Sequence, residues 1–216
     1  MCLTSLQRRL STSSYRMMEP TMPQRCSWPG DDPDEIAYHD LEWGVPTRDE
    51  AKLFEALTLE GAQAGLSWHT ILMRRDGYRR AFLDWNIEAI AEIDEASVDL
   101  LVQDTGIIRH RGKIESTIAN ARATLLLREQ GLSIADIVWA YADPSSEPRT
   151  DMQSQTDESK AMSREFKCRG FRFVGPTTCY AFMQAVGIVN DHDASCFRFS
   201  EIADMRSTLP NERSEP

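Results

Sequence analysis

The sequence predicts an all-helical fold, and two observations lead to that prediction. Helix-capping residues and apolar residues at helical spacing recur along most of the chain. No convincing pair of alternating strands and no internal repeat interrupts them. A chain of 216 residues is long enough for one large domain or two small ones with a proper core, and we expect a single domain over residues 23–200.

The first predicted helix begins near Thr47 or Asp49, and it buries a face that includes Leu53, Leu57 and Ala64. Shorter helices follow, bounded by Ser, Asn, Gly and Pro residues. They cover 67–75, 78–83, 87–92, 98–103, 112–130, 134–141, 157–168 and 176–186, with caps at Ser67, Asn86, Ser97, Ser133 and Gly187. A polar loop over 143–155 and a tight turn over 170–175 separate the later helices.

The two chain ends and the segment after residue 24 follow a different pattern. Residues 1–22 are rich in Ser, Thr, Arg and Met, and we expect a disordered extension there. An organelle transit peptide or a mis-assigned start codon would both explain it. From Glu201 to residue 216 we expect a frayed polar tail. Residues 25–46 are predicted to be irregular, but they carry too many large rings for a loose loop.

Composition bounds the class of protein. The hydrophobic fraction of 41% and the charged fraction of 27% are ordinary for a globular domain. No apolar run approaches the roughly 18 residues that a membrane-spanning helix needs. A net charge of −10 argues against a protein that coats nucleic acid non-specifically, although a local basic face remains possible.

Glu60 lies on the buried face of the first predicted helix, where an unpaired carboxylate is expensive. It either pairs with an arginine or caps a neighbouring helix, or it points into a pocket that needs a hydrogen-bond acceptor. Gly61 and Gly65 leave the backbone nearby bare, so a flat ligand can approach. Trp68 follows and is a candidate for a pocket wall.

Four large rings, Trp28, Tyr38, Trp43 and Trp68, form a second candidate set. Stacked rings beside one acid suit a flat base that is electron-poor or cationic. Packing in the core explains each ring individually, so the set alone leaves both interpretations open.

Two cysteines and two histidines form a candidate metal site: Cys26, His39, His192 and Cys196. Four such ligands make a closed structural zinc site, and His192 and Cys196 are spaced one helical turn apart. The alternative is that the later pair merely packs. Cys168 and Cys2 are expected to be exposed and Cys179 buried, and no disulfides are expected because the sequence has no apolar signal-peptide core.

Two glycine-bounded basic turns precede predicted helices. One carries Arg172, Val174, Gly175 and Thr177, and the other carries Arg109 and Arg111. Backbone N–H groups at a helix N-terminus bind phosphate without reading sequence. An ordinary helical hairpin is the alternative, yet two such turns in an acidic protein favour a grip on the DNA backbone.

Together these segments resemble the DNA-3-methyladenine glycosylase I family of the helix-hairpin-helix glycosylase superfamily. The matching stretches are 25–28, 36–40, 42–46, 59–61, 63–68, 106–114 and 173–192, so the resemblance covers roughly residues 25–197. The extension over residues 1–22 has no counterpart, and Glu35 stands where relatives can carry an aromatic residue. Asp191 is the nearest candidate for the catalytic aspartate of the superfamily, but it abuts His192 and we assign it no role.

The resemblance implies a helix-hairpin-helix glycosylase fold with its hairpin on the minor-groove side of DNA. It also implies a structural zinc that ties the irregular N-terminal segment to the C-terminus through the four Cys and His residues. Base recognition falls on Glu60 with Tyr38, stacking on Trp68, and the pocket lining on Trp28 and Trp43.

The activity implied is flipping of an N3-methylated adenine out of alkylated double-stranded DNA and hydrolysis of its N-glycosidic bond. Glu60 is then the catalytic group and free 3-methyladenine the product, with no lyase activity and no organic cofactor. We expect a monomer in the bacterial cytoplasm, without excluding organelle targeting by residues 1–22. From another class, the alternative is a zinc-stapled module that binds DNA or a nucleotide without catalysis, because no nucleophile–base pair is evident.

Overall fold

The computed structural model describes residues 23–142 and 153–209, and its regular structure within those ranges is entirely helical, which confirms the predicted fold class. No helix of these ranges is both long and apolar enough to span a membrane. The helices are α1 (Pro33–Leu41), α2 (Glu50–Gln63), α3 (Trp68–Leu72), α4 (Arg75–Ala81), α5 (Ile87–Ala91), α6 (Glu95–Leu101), α7 (Arg111–Glu129), α8 (Ile134–Trp139), α9 (Asp157–Cys168), α10 (Pro176–Ala185) and α11 (Phe197–Thr208). The expected extension over 1–22 and most of the expected loop over 143–155 lie outside the described residues.

The N-terminal segment is more regular than its sequence led us to expect. Residues 33–41, predicted to be irregular, form α1. The side chain of Asp32 accepts hydrogen bonds of 3.0 Å from the backbone N–H groups of Asp34 and Glu35. Pro33 occupies the first turn of this helix. An Asp cap followed by Pro starts a helix. The expectation of irregular structure was therefore wrong for residues 33–41.

Other boundaries differ from the prediction as well: α3 ends at Leu72 and not near Arg75, and α4 covers Arg75–Ala81 where a helix over 78–83 was expected. The cap of α6 is Asp94, whose carboxylate accepts a hydrogen bond of 2.8 Å from the backbone N–H of Ser97, the residue expected to be the cap. At the C-terminus, α11 continues to Thr208 although a frayed tail was expected from Glu201. Ile202 is fully buried and anchors this helix to the domain, which is why it persists beyond residue 201.

The helix α2 lies at the centre of the domain. Its residues Leu53, Phe54 and Leu57 are almost completely buried. It packs against α3, α7, α8 and α10, while α7 also packs on α5 and α10 on α9. A side chain near the end of α2 is therefore held by neighbours on several sides, and Glu60 is such a side chain.

Gly187 follows α10 and packs against the backbone of the N-terminal segment. Its φ of +73° is left-handed, as suits the glycine expected after this helix. A Cβ atom there would lie 2.5 Å from the carbonyl oxygen of Gly44 and 2.6 Å from the backbone N of Pro46. The backbone N–H of Gly44 donates a hydrogen bond of 3.1 Å to the carbonyl of Ala185. This glycine thus permits a close backbone contact that no other residue allows.

We predict that Gly187→Ala destabilises the protein more than Gly131→Ala does. Both glycines have φ of +73°, so the strain of about 1 kcal/mol is common to both variants. Gly131 has nothing within 4 Å of an added Cβ, whereas Gly187 faces backbone atoms. The difference in unfolding free energy, measured by urea denaturation, should be about 2 kcal/mol. Equal losses would show that the contact with Gly44 and Pro46 relaxes freely.

Candidate functional site

A cavity of about 510 Å³ opens between α2, α10 and the N-terminal segment. Its lining brings together all five residues that the sequence suggested for a base-binding pocket: Trp28, Tyr38, Trp43, Glu60 and Trp68. They come from α1, α2, α3 and the loops on either side of α1. The pocket therefore depends on how the N-terminal segment lies against the helical core.

The aromatic side chains form one continuous wall. The rings of Tyr38 and Trp68 lie 4.8 Å apart between centroids, with 40° between their planes. Trp28 and Trp43 meet edge to face at 5.2 Å, and Trp28 also meets Tyr38 edge to face at 6.2 Å. Such a wall offers flat apolar surfaces to a planar ligand.

Glu60 is the acid in this wall, and it is only 7% exposed. It forms no hydrogen bond or ion pair with any residue that the structure describes. Burial raises the pKa of its carboxyl to about 8, and burial with the nearby Glu60 charge also raises the pKa of Tyr38. Within residues 23–142 and 153–209, Glu60 therefore neither pairs with an arginine nor caps a neighbouring helix, the two alternatives to a role in a pocket. A ligand that donates to this carboxyl, or that carries positive charge, would favour its ionised form.

Other polar side chains of the cavity were not assigned from the sequence. Gln63 lies three residues after Glu60 and so on the same face of α2, a spacing from which it could have been found. Gln184 donates a hydrogen bond of 2.8 Å to the carboxylate of Asp191, and the hydroxyl of Tyr180 donates to the same oxygen. Nothing in the spacing of those three residues indicated this network.

A second cavity of about 340 Å³ shares Tyr38, Glu60 and Trp68 with the first. Arg75 forms part of its wall and donates hydrogen bonds of 2.7 Å to Glu55 and 2.6 Å to Glu42. The positive charge of Arg75 is therefore compensated within the second cavity. The acid and two of the rings thus belong to both cavities.

The helical hairpin of α9 and α10 presents the residues expected to face DNA. Arg172 and Thr177 are exposed. Val174 is buried, and its carbonyl accepts a hydrogen bond of 2.6 Å from the hydroxyl of Ser163, so only its backbone N–H is a candidate for a ligand contact. Gly175 is the N-cap of α10 and provides no side-chain cap. This helix N-terminus has the geometry of an anion site.

The turn before α10 is fixed by α7. The side-chain amide of Asn120 accepts a hydrogen bond of 2.8 Å from the backbone N–H of Arg172 and donates one of 3.2 Å to its carbonyl. Phe173 has a φ of +55°, which is unusual for a residue other than glycine. Its ring meets that of His110 edge to face at 6.2 Å. The turn is consequently rigid although it lies at the surface.

The other basic turn is less basic than its sequence suggests. Arg109 is exposed, but Arg111 donates hydrogen bonds to Glu95, at 2.6 Å, and to Asp99. Lys113 is buried and donates to backbone carbonyls at the end of α2. Of this cluster, only Arg109 presents an uncompensated charge on the described surface.

The four candidate metal ligands converge. Cys26, His39, His192 and Cys196 are each at most 6% exposed. Their ligand atoms all lie within 4.8 Å of one another. The Sγ of Cys196 lies 3.5 Å from Nε2 of His39 and 3.6 Å from Nδ1 of His192, which lies 3.5 Å from the Sγ of Cys26. This group could hold a metal ion.

Neighbouring groups orient both imidazoles. Nδ1 of His39 lies 2.8 Å from the carboxylate of Asp40, which Arg25 also holds through hydrogen bonds of 2.7 and 2.9 Å. Nε2 of His192 lies 3.2 Å from the carbonyl oxygen of Trp43. The remaining nitrogen of each ring therefore faces the thiols, an arrangement typical of metal sites.

Burial sets the protonation of this cluster. It raises the pKa of Cys26 to about 12 and lowers the pKa of His192 to about 4. Both groups thus favour their neutral forms, and a bound cation would reverse the preference of the thiol.

One detail of the cluster corrects the sequence analysis. His192 and Cys196 were expected to be one helical turn apart, but α11 begins only after Cys196, so a loop brings them together. A spacing of four residues fits both a helical turn and a loop, so it could not distinguish the two conformations. Cys179 is buried and Cys168 exposed, as expected, and Cys2 lies outside the described residues.

The family model of the methyladenine glycosylases matches residues 28–199. DNA-3-methyladenine glycosylase 1 of Escherichia coli (strain K12) is 48% identical over 178 residues, which cover 80% of this chain and 95% of that protein. For the DNA-3-methyladenine glycosylase of Haemophilus influenzae the identity is 44% over 180 residues, with coverage of 81% and 97%.

Solved structures agree with these relatives. A crystal structure of a 3-methyladenine DNA glycosylase I superposes with a TM-score of 0.78 at 50% identity, covering 81% of this chain and 98% of the other. The Staphylococcus aureus enzyme, solved to explain its recognition of 3-methyladenine, gives 0.74 at 32% identity, with coverage of 80% and 94%. Since the family match spans most of the sequence and the relatives align over nearly their whole length, this chain belongs to the methyladenine glycosylase family.

Proposed function

We propose that this protein excises 3-methyladenine from alkylated DNA by hydrolysing the N-glycosidic bond of the damaged nucleotide. The observation that carries the proposal is Glu60, a buried carboxyl that lies in an aromatic cavity and has no partner among the residues the structure describes. The relatives of this chain bear the names of 3-methyladenine glycosylases, which supports the proposal. A base released into this cavity is the free product, 3-methyladenine.

The chemistry of the methylated base fits the cavity. Methylation at N3 makes the adenine of the nucleotide cationic, so the base is a good leaving group and little acid catalysis is needed. Ring faces attract a cation by their quadrupole, and a desolvated contact of this kind is worth about 2 kcal/mol. Glu60 accepts a hydrogen bond from the exocyclic amine at the edge of the adenine, and the bond strengthens as the carboxyl ionises. Unmodified adenine carries no charge and gains less from both contacts.

Access to the cavity requires the nucleotide to leave the duplex. Flipping costs least for a damaged base, which contributes to selection. We infer that the helix-hairpin-helix formed by α9 and α10 holds the DNA backbone through N–H groups of Val174, Gly175 and Thr177, with charge from Arg172. Arg109 adds a second contact. Arg111 was expected to do the same, but its ion pairs with acidic side chains reduce its contribution.

We also propose a structural zinc on Cys26, His39, His192 and Cys196. Tetrahedral bonds of about 2.3 Å to sulfur and 2.0 Å to nitrogen separate a sulfur from a nitrogen ligand by about 3.5 Å. The three S–N separations of 3.5, 3.5 and 3.6 Å match that value. Four protein ligands close the coordination sphere, so the ion supplies folding energy and takes no part in the reaction. Its role is to fasten the N-terminal segment to the C-terminal end of the domain.

The domain division remains a proposal as well: one glycosylase domain that begins at residue 23 and extends past the expected boundary at residue 200 to the end of α11 at Thr208. We infer that the protein acts as a monomer, in the compartment that holds its DNA. The rival function is a helical module that binds DNA or a nucleotide without chemistry, and the same cavity and hairpin would serve it.

Base release separates the two functions. Duplex DNA treated with a methylating agent is incubated with the protein, and the released bases are resolved by chromatography. We predict free 3-methyladenine as the main product, with 7-methylguanine left in place. DNA binding without any released base would support the binding module and overturn the glycosylase.

We predict that Glu60→Gln weakens binding of free 3-methyladenine by roughly tenfold at pH 9, because a neutral amide replaces a charged acceptor worth about 1.5 kcal/mol more. The pKa of Glu60 is about 8 in the unliganded protein. Below that pH the carboxyl must lose a proton before it binds as an anion, so the affinity of the parent protein falls from pH 9 to pH 7. The affinity of the variant should not follow this trend.

Calorimetric titration at the two pH values measures both effects. Glu129→Gln is the matched control, since Glu129 is exposed on α7. Equal affinities of the parent and Glu60→Gln at pH 9 would remove Glu60 from the site.

We predict that Cys26→Ser lowers both the zinc content and the unfolding free energy, the latter by at least about 3 kcal/mol. The parent should retain one zinc ion per chain after dialysis, as measured by atomic emission. Cys168→Ser is the control, because Cys168 is exposed and outside the cluster. A metal-free parent with the same stability as Cys26→Ser would exclude the zinc site.

A further inference from the structure

The helix α7 carries a buried polar stripe that the proposed reaction leaves unexplained. Its residues repeat at i, i+3, i+4, i+7 and i+11: Lys113, Ser116, Thr117, Asn120 and Thr124. The three hydroxyls donate hydrogen bonds to carbonyls of α7 itself. Among the described residues, only Lys113 and Asn120 of this stripe bond to other elements. Buried polar groups are costly unless paired, so the partners of these two residues indicate what the stripe does.

Lys113 binds the end of α2. Its ammonium group donates hydrogen bonds of 2.7 Å to the carbonyl of Ala62 and 2.8 Å to that of Ala64. A cation at a helix C-terminus is favoured by the helix dipole. The chain then turns at Gly65, whose φ is +80°, and enters α3 with Trp68. Lys113 thereby anchors the turn that separates the acid of the pocket from its stacking ring.

Asn120 lies two helical turns further along the same face, seven residues after Lys113. Its amide forms the two hydrogen bonds to the backbone of Arg172 described above. Phe173, next to Arg172, has a left-handed backbone conformation. Such a conformation costs about 1 kcal/mol or more and needs support from its surroundings. Asn120 provides that support from within the core, where it is only 3% exposed.

The turn before α10 also packs against α2 beside the acid. A Cβ atom at Gly61 would lie 3.4 Å from both the Cβ and the carbonyl oxygen of Phe173. Gly61 belongs to α2 and follows Glu60 directly in the sequence, so the turn that Asn120 anchors lies against the residue next to the acid. This contact links the hairpin to the helix whose end Lys113 anchors.

We propose that Lys113 and Asn120 are positioning residues that set the distance and orientation between the base cavity and the DNA-binding hairpin. The proposal rests on the proposed function, since it requires one site for the base and another for the backbone. Each residue serves one site: Lys113 the turn between Glu60 and Trp68, and Asn120 the turn before α10. Replacing Asn120 should therefore change the KM for DNA without changing the affinity for the free base, and replacing Lys113 should change the affinity for the free base without changing the affinity for DNA.

For Asn120→Ala, the KM for methylated duplex DNA should rise about tenfold, the scale expected for a misplaced contact. The Kd for free 3-methyladenine and kcat at saturating DNA should stay within about twofold of the parent, because the cavity keeps its own anchor. Thr124→Val is the matched control: Thr124 is equally buried on the same stripe but bonds only within α7. Its kinetic constants should match those of the parent, with all variants assayed at a temperature where circular dichroism shows them folded.

For Lys113→Met the opposite pattern is expected. Affinity for free 3-methyladenine should fall about tenfold because the turn between the acid and the stacking ring loses its anchor. The Kd for unmodified duplex DNA should stay within about twofold. Lys113→Gln keeps one donor and is the milder variant, and it should lie between Lys113→Met and the parent.

A proportional loss of both free-base affinity and DNA affinity in Asn120→Ala would show that Asn120 only stabilises the fold, and an unchanged KM would show that it has no positional role. Unchanged free-base affinity in both Lys113 variants would exclude Lys113. If the parent releases no base, the proposed reaction fails by itself. The Kd values for duplex DNA and for the free base still test the positioning proposal in that case.

Discussion

The contact of the N-terminal segment with the residues at the start of α11 is the constraint on which the site depends. The backbone N–H of Phe197 donates a hydrogen bond of 2.9 Å to the carbonyl of Gln24, and the Cys and His cluster spans the same junction. From this junction the N-terminal segment places Trp28, Tyr38 and Trp43 in the cavity wall. Three of the five residues of the candidate base site are therefore supplied by a segment with one short helix of its own. The proposed metal ion would hold that segment at Cys26, before α1, and at His39, within α1, and so fix a small piece of chain in the wall.

The rigidity of the wall matters because of Glu60. Burial raises the pKa of Glu60 from 4.5 to about 8. Because the unfolded chain ionises this carboxyl at the lower pH, the free energy of unfolding falls as the pH rises from 4.5 towards 8. The surrounding core tolerates the cost since α2 is packed on several sides. In the proposed reaction this unsatisfied acceptor is useful, because the hydrogen bond and charge that it lacks are those that a methylated adenine brings. The site thus gives up stability in the free protein and recovers it when the base is bound.

Features that depend on residue type or local spacing were predictable from the sequence, and features that depend on distant partners were not. The helical character, the buried position of Glu60 and the convergence of Cys26 with His192 followed from periodicity and from the ligands that zinc requires. The start of α1 was also local, and it was missed although Asp32 and Pro33 mark it. By contrast, the burial of Lys113 and the bonds of Asn120 involve partners about 50 residues away, at 51 and 52 residues respectively. Both residues occupy a helix whose sequence alone suggests a basic surface.

The same distant contacts bear on how an acidic protein uses DNA. With a net charge of −10, it cannot rely on general attraction to phosphates, and the basic turns add little. Arg111 is compensated by acids, Lys113 is internal, and Arg172 lies 3.7 Å from a carboxylate oxygen of Glu115. Arg109 and the backbone N–H groups at the start of α10 remain for the proposed contact with DNA, and the N–H groups bind a phosphate only when they are correctly aimed. With the weak grip on undamaged DNA that we propose, the flipped base would supply most of the binding energy, and the alignment of the hairpin with the cavity would matter more than the number of cations around it.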